Sequence, residues 1–417
     1  MLVSDRMIKK MSGLLMLTSL LAGCSAGEGV VVSVHNSLDF ARDGEMVEVP
    51  LTKLQKVSLK DGQKYVVVDA ATKAQVPYQL TYDGMLIFPA TVGAGATSSY
   101  TVKAGQPEAM DTVACGRFYP ERLDDIAWEN DKAAYRAYGP ALQRRQEQAY
   151  GYDVFTKSVS YPVVEKRYAM ELDSAARAQI AVWRKEGQKE KADSLVKIIS
   201  YHVDHGNGMD VYNVGPTLGG GASALMDDGE ELIYPYCFKD YEILDNGPLR
   251  FTMKLTYNPL KVKGDTTVVE TRVISLDKGS YLNRTVLTYS GLSNPTTLAS
   301  GLVLHSQNPN GYVLNADDRF IAYADSTNNA TAGHGVIYVG AAFPKQVEKA
   351  YVQLFPEPKK DAIGHVLATS LYEPNSSYVY YWGSGWSKGG VQDMDAWTTY
   401  LKDFSKQLAS PLEVEVK

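Results

Sequence analysis

Apolar and polar positions alternate with period two over most of the chain, which is the pattern of half-buried strands. Val30 to His35 is a branched apolar run, Met46 to Leu51 alternates, and Lys64 to Asp69 holds a cluster of valines. Tyr78 to Tyr82 and Met85 to Phe88 flank Asp83-Gly84, a two-residue hairpin signal. Ser98 to Val102 closes the set. The spacing predicts a small antiparallel β-sandwich over residues 30–105, with a linker from Gly105 to Asp111.

A second region follows over residues 116–417. Phe251 to Tyr257, Thr267 to Leu276 and Tyr281 to Tyr289 alternate strictly, with Gly264-Asp265 and Lys278-Gly279 as turns. Gly301 to His305, Gly335 to Val339 and Tyr378 to Trp382 add strands. Helical spacing is limited to Leu172 to Ile199, broken into two helices near Gly187, and to Trp397 to Leu408. So many long strands with so few helices predict a mainly β chain: a small N-terminal sandwich, then a large two-sheet supersandwich of the galactose-mutarotase-like type with a helical insertion. A β-propeller is the runner-up, but no internal repeat supports it.

The N-terminus carries a separate signal. Arg6, Lys9 and Lys10 precede an apolar run from Met11 to Ala22, which ends in Leu21-Ala22-Gly23-Cys24. The run is shorter than the roughly 20 apolar residues of a membrane span and has the form of a secretory signal. Small residues just before a cysteine mark a lipoprotein cleavage site. Residues 1–24 are expected to be a signal peptide, residues 25–29 a tether, and Cys24 the lipidated residue. The body would then sit on a bacterial membrane, in the periplasm or at the cell surface, held by lipid alone.

Composition narrows the partners. A net charge of -6 disfavours nucleic acid. Besides Cys24 only Cys115 and Cys237 remain, too few for a cysteine-rich metal centre and undetermined as a disulfide. Tyrosine outnumbers phenylalanine 28 to 10. Its apolar ring and polar tip suit sugar contacts, and also suit β proteins in general.

Two segments concentrate chemistry. Tyr201 to Gly221 reads YHVDHGNGMDVYNVGPTLGGG and holds His202, His205, Asp210 and Tyr212 among glycines. Arg117 to Leu142 holds Arg122, Trp128, Glu129, Asn130, Arg136 and Tyr138, with an acidic run from Glu121 to Glu129. Histidines and carboxylates serve proton transfer, and guanidiniums hold carboxylates in bidentate fashion. Each segment also reads as a hydrogen-bonded or salt-bridged scaffold, with Asn130 as an N-cap. His305 ends a strand and reads equally as a core histidine. Trp382 and Trp386 lie beside Gly383 and Gly385, either lining a sugar cleft or packing in the core. His334 and His365 join no constellation. No nucleophile elbow, phosphate loop, dinucleotide fingerprint or zincin motif is present.

At these segments the chain resembles a known family. The strings NSLDFARDGEMVEVPL, ERLDDIAWENDKAAYRAYGPAL and HGNGMDVYNVGPTLGGG are similar to those of an uncharacterised family of Bacteroides-type secreted proteins, the domain of unknown function numbered 4861. The resemblance spans the mature chain. It implies a role in polysaccharide use, since members are encoded near pectin- and uronate-degrading enzymes such as unsaturated glucuronyl hydrolases.

The leading expectation is an enzyme acting on uronate-containing oligosaccharides by lyase or epimerase chemistry. His202 or His205 would be the base, Tyr212 or Tyr138 the acid, and Asp210 would orient a histidine. Arg122 or Arg136 would clamp a carboxylate, with Trp128, Glu129, His305, Trp382 and Trp386 binding substrate. No cofactor is called for, and a metal such as calcium is left open. The alternatives are a non-catalytic glycan-binding lipoprotein, resting on the three tryptophans, and a glycoside hydrolase using a carboxylate pair between positions 121 and 129.

Overall fold

The computed structural model describes residues 29–326 and 330–417. The expected signal sequence, Cys24 and the expected tether up to residue 28 lie outside the described residues. The fold is mainly β, and every pairing among its named strands is antiparallel.

The N-terminal sandwich follows from its alternation. Val30, Val32 and Val34 are buried, while Val31 between them is exposed. Strands Val30–His35, Lys64–Asp69 and Thr97–Gly105 form most of one sheet, and Arg42–Pro50 with Met85–Val92 most of the other. Between them packs a core of Val47, Val49, Leu86, Phe88, Tyr100 and Val102. The chain's last strand, Glu413–Val416, returns to pair with Val30–His35. The expected boundary at residue 116 therefore does not separate two contiguous pieces.

The large region is two packed sheets. A five-stranded sheet runs Leu232–Ile233, Gly220–Met226, Thr296–His305, Ala362–Tyr372 and Lys349–Lys359. A nine-stranded sheet has Asp265–Asp277, Leu282–Ser290, Tyr378–Trp386 and Ile337–Ala342 at its centre and Phe320–Asp325 near one edge. Leu298 and Leu302 from the first meet Ile274, Leu287 and Val339 from the second in one core. The edge pair Lys349–Lys359 and Ala362–Tyr372 was not anticipated. Much of the former is exposed and has no clean apolar alternation.

A third sheet joins Cys115–Tyr119, Asp125–Glu129, Ala134–Ala137 and Asp153–Phe155. It docks on the sandwich through Trp128, which packs against Phe251, Tyr152 and Trp382 and donates its Nε1–H to Asn283 at 2.8 Å. Asn130 is not a helix cap. Its side chain closes the hairpin, accepting from the Lys132 and Ala133 amides and donating to the Asp277 and Ser280 carbonyls.

The helical insertion has three helices rather than two. Ser174–Lys185 is capped by Asp173, whose carboxylate accepts from the Ala176 amide at 2.8 Å. Gly187 at φ +74° separates it from Lys189–Ile199, the break expected there. The unexpected helix is Val164–Glu171. Its first amides are capped from a distance: Glu129 accepts from Val163 N and Val164 N at 2.8–2.9 Å. A cap supplied 34 residues upstream leaves no local mark in the sequence.

Candidate functional site

The two segments singled out in the sequence meet around Arg136. The third sheet holds the Arg136 guanidinium inside the protein, 3% exposed. Its Nη2 donates to Asp153, to Asp210 at 3.0 Å and to the Tyr138 hydroxyl at 3.2 Å. Tyr138 in turn donates to Asp153 at 2.7 Å. Asp125 stands 3.9 Å from Arg136 and 3.5 Å from Arg122. Burial pushes the Asp125 carboxyl up to about 7 and the Asp210 carboxyl up to about 6, against the opposing pull of Arg136. Burial alone would lower Arg136, but Asp153, Tyr138 and Asp210 outweigh it and hold the guanidinium well above its ordinary value. Three carboxyls, two guanidiniums and a phenol thus form one buried charge cluster. In it Arg136 Nε and Nη1 and both Asp125 oxygens have no hydrogen bond among the described residues, Asp125 being held by its ion-pair contacts.

This closes several expected roles. Arg136 cannot clamp a substrate carboxylate, because the protein's own carboxyls already do so. The Tyr138 hydroxyl is taken up inside the cluster, accepting from Arg136 and donating to Asp153, which leaves it no proton to offer a substrate. Glu129 is consumed by Lys157 at 2.6 Å and by the two helix amides. Trp128 and Trp382 are fully buried and Trp386 is 3% exposed, its Nε1–H bound to the His334 carbonyl. None of the three offers a face to a sugar.

His202 and His205 sit on the rim. His202 stacks near Tyr201, ring centroids 4.6 Å apart, and its Nδ1 meets the Asp210 carbonyl at 2.7 Å. That contact is with the Asp210 backbone; its carboxylate, the group expected to orient a histidine, is 3.9 Å away. The His205 Nε2 meets the Ser200 carbonyl at 3.0 Å. Both rings therefore staple their own loop. Arg122 donates to the Tyr201 hydroxyl at 3.0 Å and is partly exposed.

The same segment runs on to a second polar group. Tyr212 is 4% exposed, and its ring lies 6.2 Å from that of His305. His305 ends its strand in the five-stranded sheet, and Asp325 ends Phe320–Asp325 in the nine-stranded sheet. The His305 Nδ1 and Asp325 Oδ2 are 2.7 Å apart, so the pair joins the two sheets. Burial disfavours the imidazolium, but the Asp325 hydrogen bond and charge prevail and the His305 pKa is raised. The Asn213 backbone also favours the charged form, although no hydrogen bond of good geometry reaches Nε2. Among the described residues neither that Nε2 nor the Tyr212 hydroxyl has a hydrogen-bond partner. Above them, Asn213 Nδ2 donates to Asp361 at 2.8 Å and Gln307 Nε2 to the same oxygen at 3.3 Å.

Sequence reasoning named Tyr212 and His305 but placed them in separate roles. It missed Asp325, Asp361, Asn213 and Gln307, whose isolated polar letters carry no spacing signal. It also missed Asp153, which pairs with Arg136 across neighbouring strands. His365 is a core group, accepting from the Leu218 amide at 3.1 Å, with burial lowering its pKa to about 3. Cys115 and Cys237 are free thiols, each raised to about 11 by burial. Among the described residues no cluster suits a metal ion, and no helix is long and apolar enough to cross a membrane.

Fold and site define a class: a mainly β protein in which two stacked sheets present a buried histidine–carboxylate pair beside a tyrosine. The chain belongs to the family described as Domain of unknown function (DUF4861), whose profile matches residues 34–414. It is 30% identical over 405 residues to the uncharacterized protein P7 of Formosa agariphila, covering 93% of each chain. Among solved structures it is similar to an alpha-mannosidase from Enterococcus faecalis, with a TM-score of 0.47 and 9% identity over 93% of this chain and 46% of that one. A glycosyl hydrolase family 38 protein from the same organism gives a TM-score of 0.45 and 9% identity over 93% and 47%. The chain spans about half the length of those two structures.

Proposed function

We propose that this protein acts on uronate-containing oligosaccharides by removing the proton next to the sugar carboxylate, as a lyase or an epimerase, from a lipid-anchored position outside the cytoplasm. One observation carries the reading: His305 is oriented by Asp325, while among the described residues its Nε2 and the neighbouring Tyr212 hydroxyl have no hydrogen-bond partner. A substrate would reach these buried atoms by displacing the Asn213, Gln307 and Asp361 side chains. The substrate class is supported by the family resemblance read from the sequence, which implies genes placed near pectin- and uronate-degrading enzymes.

The base moves from His202 and His205 to His305. With Nδ1–H given to Asp325, the Nε2 lone pair takes the proton, and Asp325 stabilises the imidazolium that forms. Tyr212, kept protonated by burial, is the donor on the other side. In elimination, the C5–H bond breaks and its electrons form the C4–C5 double bond. The C4–O bond breaks, and the departing oxygen takes the Tyr212 proton. In epimerisation the C5–H electrons are held by the sugar carboxylate as an enolate, Tyr212 gives its proton to the opposite face of C5, and His305 keeps the proton it took. The amides of Asn213 and Gln307, turned from Asp361 toward substrate, would neutralise the sugar carboxylate.

The hydrolase alternative finds less support. Glu121 pairs with Arg117, Asp124 with Arg144, Asp125 with Arg122 and Arg136, and Glu129 with Lys157, so each carboxylate of the acidic segment faces a cation of the protein. The test is to incubate residues 25–417 with oligogalacturonides and related oligouronides in deuterated buffer, following unsaturated-uronate absorbance and product mass. New absorbance without added water, or deuterium gained at C5 without cleavage, is the expected result. A product heavier by water, or no change in any substrate, sinks the reading.

A further inference from the structure

A cavity of about 430 Å³ opens beside the third sheet, away from His305, with Lys132, Ser158, Ser160, Tyr161, Tyr281 and Gly390 in its lining. Its volume falls in the roughly 300–1,000 Å³ range of small-ligand sites. We propose that it is a separate binding subsite for an acidic pyranose unit of a glycan. The choice of an acidic glycan rests on the substrate class proposed above.

The lining has the parts such a unit needs. Tyr161 is 59% exposed although its loop is pinned: the Lys157 ammonium donates to the Tyr161 carbonyl at 3.0 Å, and the Ser158 amide to the Asn207 carbonyl at 3.4 Å. A large ring left in solvent on a fixed backbone is a stacking face that loses little entropy on binding. Tyr281 is the second ring, braced edge-on by Trp397 and Tyr400 at 6.0 and 5.2 Å. Gly390, at φ +102°, keeps the floor low, since a Cβ there would stand 3.0 Å from the Tyr281 hydroxyl.

The charge is also disposed for an anion. Lys157 is spent on Glu129 and on the Asn130 and Tyr161 carbonyls. Asp131 accepts from the Gly279 amide at 2.6 Å. Lys132 has only the distant Asp131 contact at 3.9 Å and lies 5.7 Å from the Tyr281 ring centre. It is the lining cation with capacity for a ligand carboxylate, while Ser158 and Ser160 suit sugar hydroxyls. The loop is tied to the His205–Asn207 turn by the Ser158 hydroxyl, 3.3 Å from the Gly206 carbonyl.

Calorimetry on residues 25–417 with tri- to hexagalacturonides, and with neutral galacto-oligosaccharides of equal length, tests the proposal. Tight binding of the acidic series is expected, with Tyr161→Ala weakening it about tenfold by loss of stacking. Lys132→Gln should weaken acidic ligands by more than neutral ones. Binding that ignores both Tyr161→Ala and Lys132→Gln, or no binding of either series, overturns the subsite. Turnover indifferent to both variants removes the subsite and leaves the catalytic reading. Tyr161-dependent binding without turnover does the reverse.

Discussion

The Arg136 cluster and the His305 pair are both buried and both set a cation against carboxylates, yet they differ in what is left over. Around Arg136, one guanidinium nitrogen serves Asp153, Asp210 and Tyr138, and Asp125 faces both arginines. Its bonds run inward and hold the third sheet to the loop before Gly220. At His305 a single carboxylate fixes one ring nitrogen, and the other nitrogen and the adjacent phenol have no hydrogen bond. Both groups keep atoms without a hydrogen bond among the described residues, but Arg136 Nε and Asp125 Oδ2 still face each other as an ion pair at 3.9 Å, whereas the His305 Nε2 and the Tyr212 hydroxyl set a base beside an acid.

The comparison breaks most visibly at Arg136. Arg136→Ala leaves Asp153 and Asp210 without their cation and should cost about 3–5 kcal/mol, read by urea denaturation. Any fall in turnover should then follow the folded fraction. Tyr212→Phe should keep the fold, because its hydroxyl bonds to nothing, and should reduce turnover by about 10²-fold or more. A turnover near wild type in Tyr212→Phe would remove the phenol from the mechanism.

The pH dependence sharpens the contrast. The folded protein holds the Asp125 and Asp210 protons to about 7 and about 6, above the ordinary carboxylate value. Their contribution to stability is thus complete below about pH 4 and is lost as pH rises toward 7. Asp125→Asn lacks that loss, so its stability relative to wild type should rise across this window, by on the order of a few kcal/mol. A difference that stays flat with pH would contradict the raised carboxyl. The smallest effect belongs to the rim: exposed His202→Ala should change stability by about 0.5 kcal/mol or less and leave turnover intact. A large loss of turnover there would restore the base to the Tyr201 segment.

Much of the fold was legible because alternation and turn residues report on burial directly. Strands Val30–His35 and Lys64–Asp69 and the break at Gly187 fall where the pattern set them. What escaped depends on distant residues. The helix Val164–Glu171 takes its cap from Glu129, and the strand Glu413–Val416 pairs with the start of the described chain. The candidate site was half legible for the same reason. Histidine and tyrosine stand out as letters, so Tyr212 and His305 were named. Asp325 becomes a partner only because two sheets end beside each other. Trp382 and Trp386 were left between a sugar cleft and the core because glycine neighbours suggest an open loop. Here Gly221 clears space for Trp382 inside the core, where a Cβ would come within 2.6 Å of that side chain.

The most direct measurement is turnover of an oligouronide by His305→Gln beside the wild type, with thermal unfolding recorded on the same samples. The account predicts a folded variant whose turnover falls by about 10²–10⁴-fold, the span of a lost general base. A folded His305→Gln protein that turns over like the wild type would contradict it.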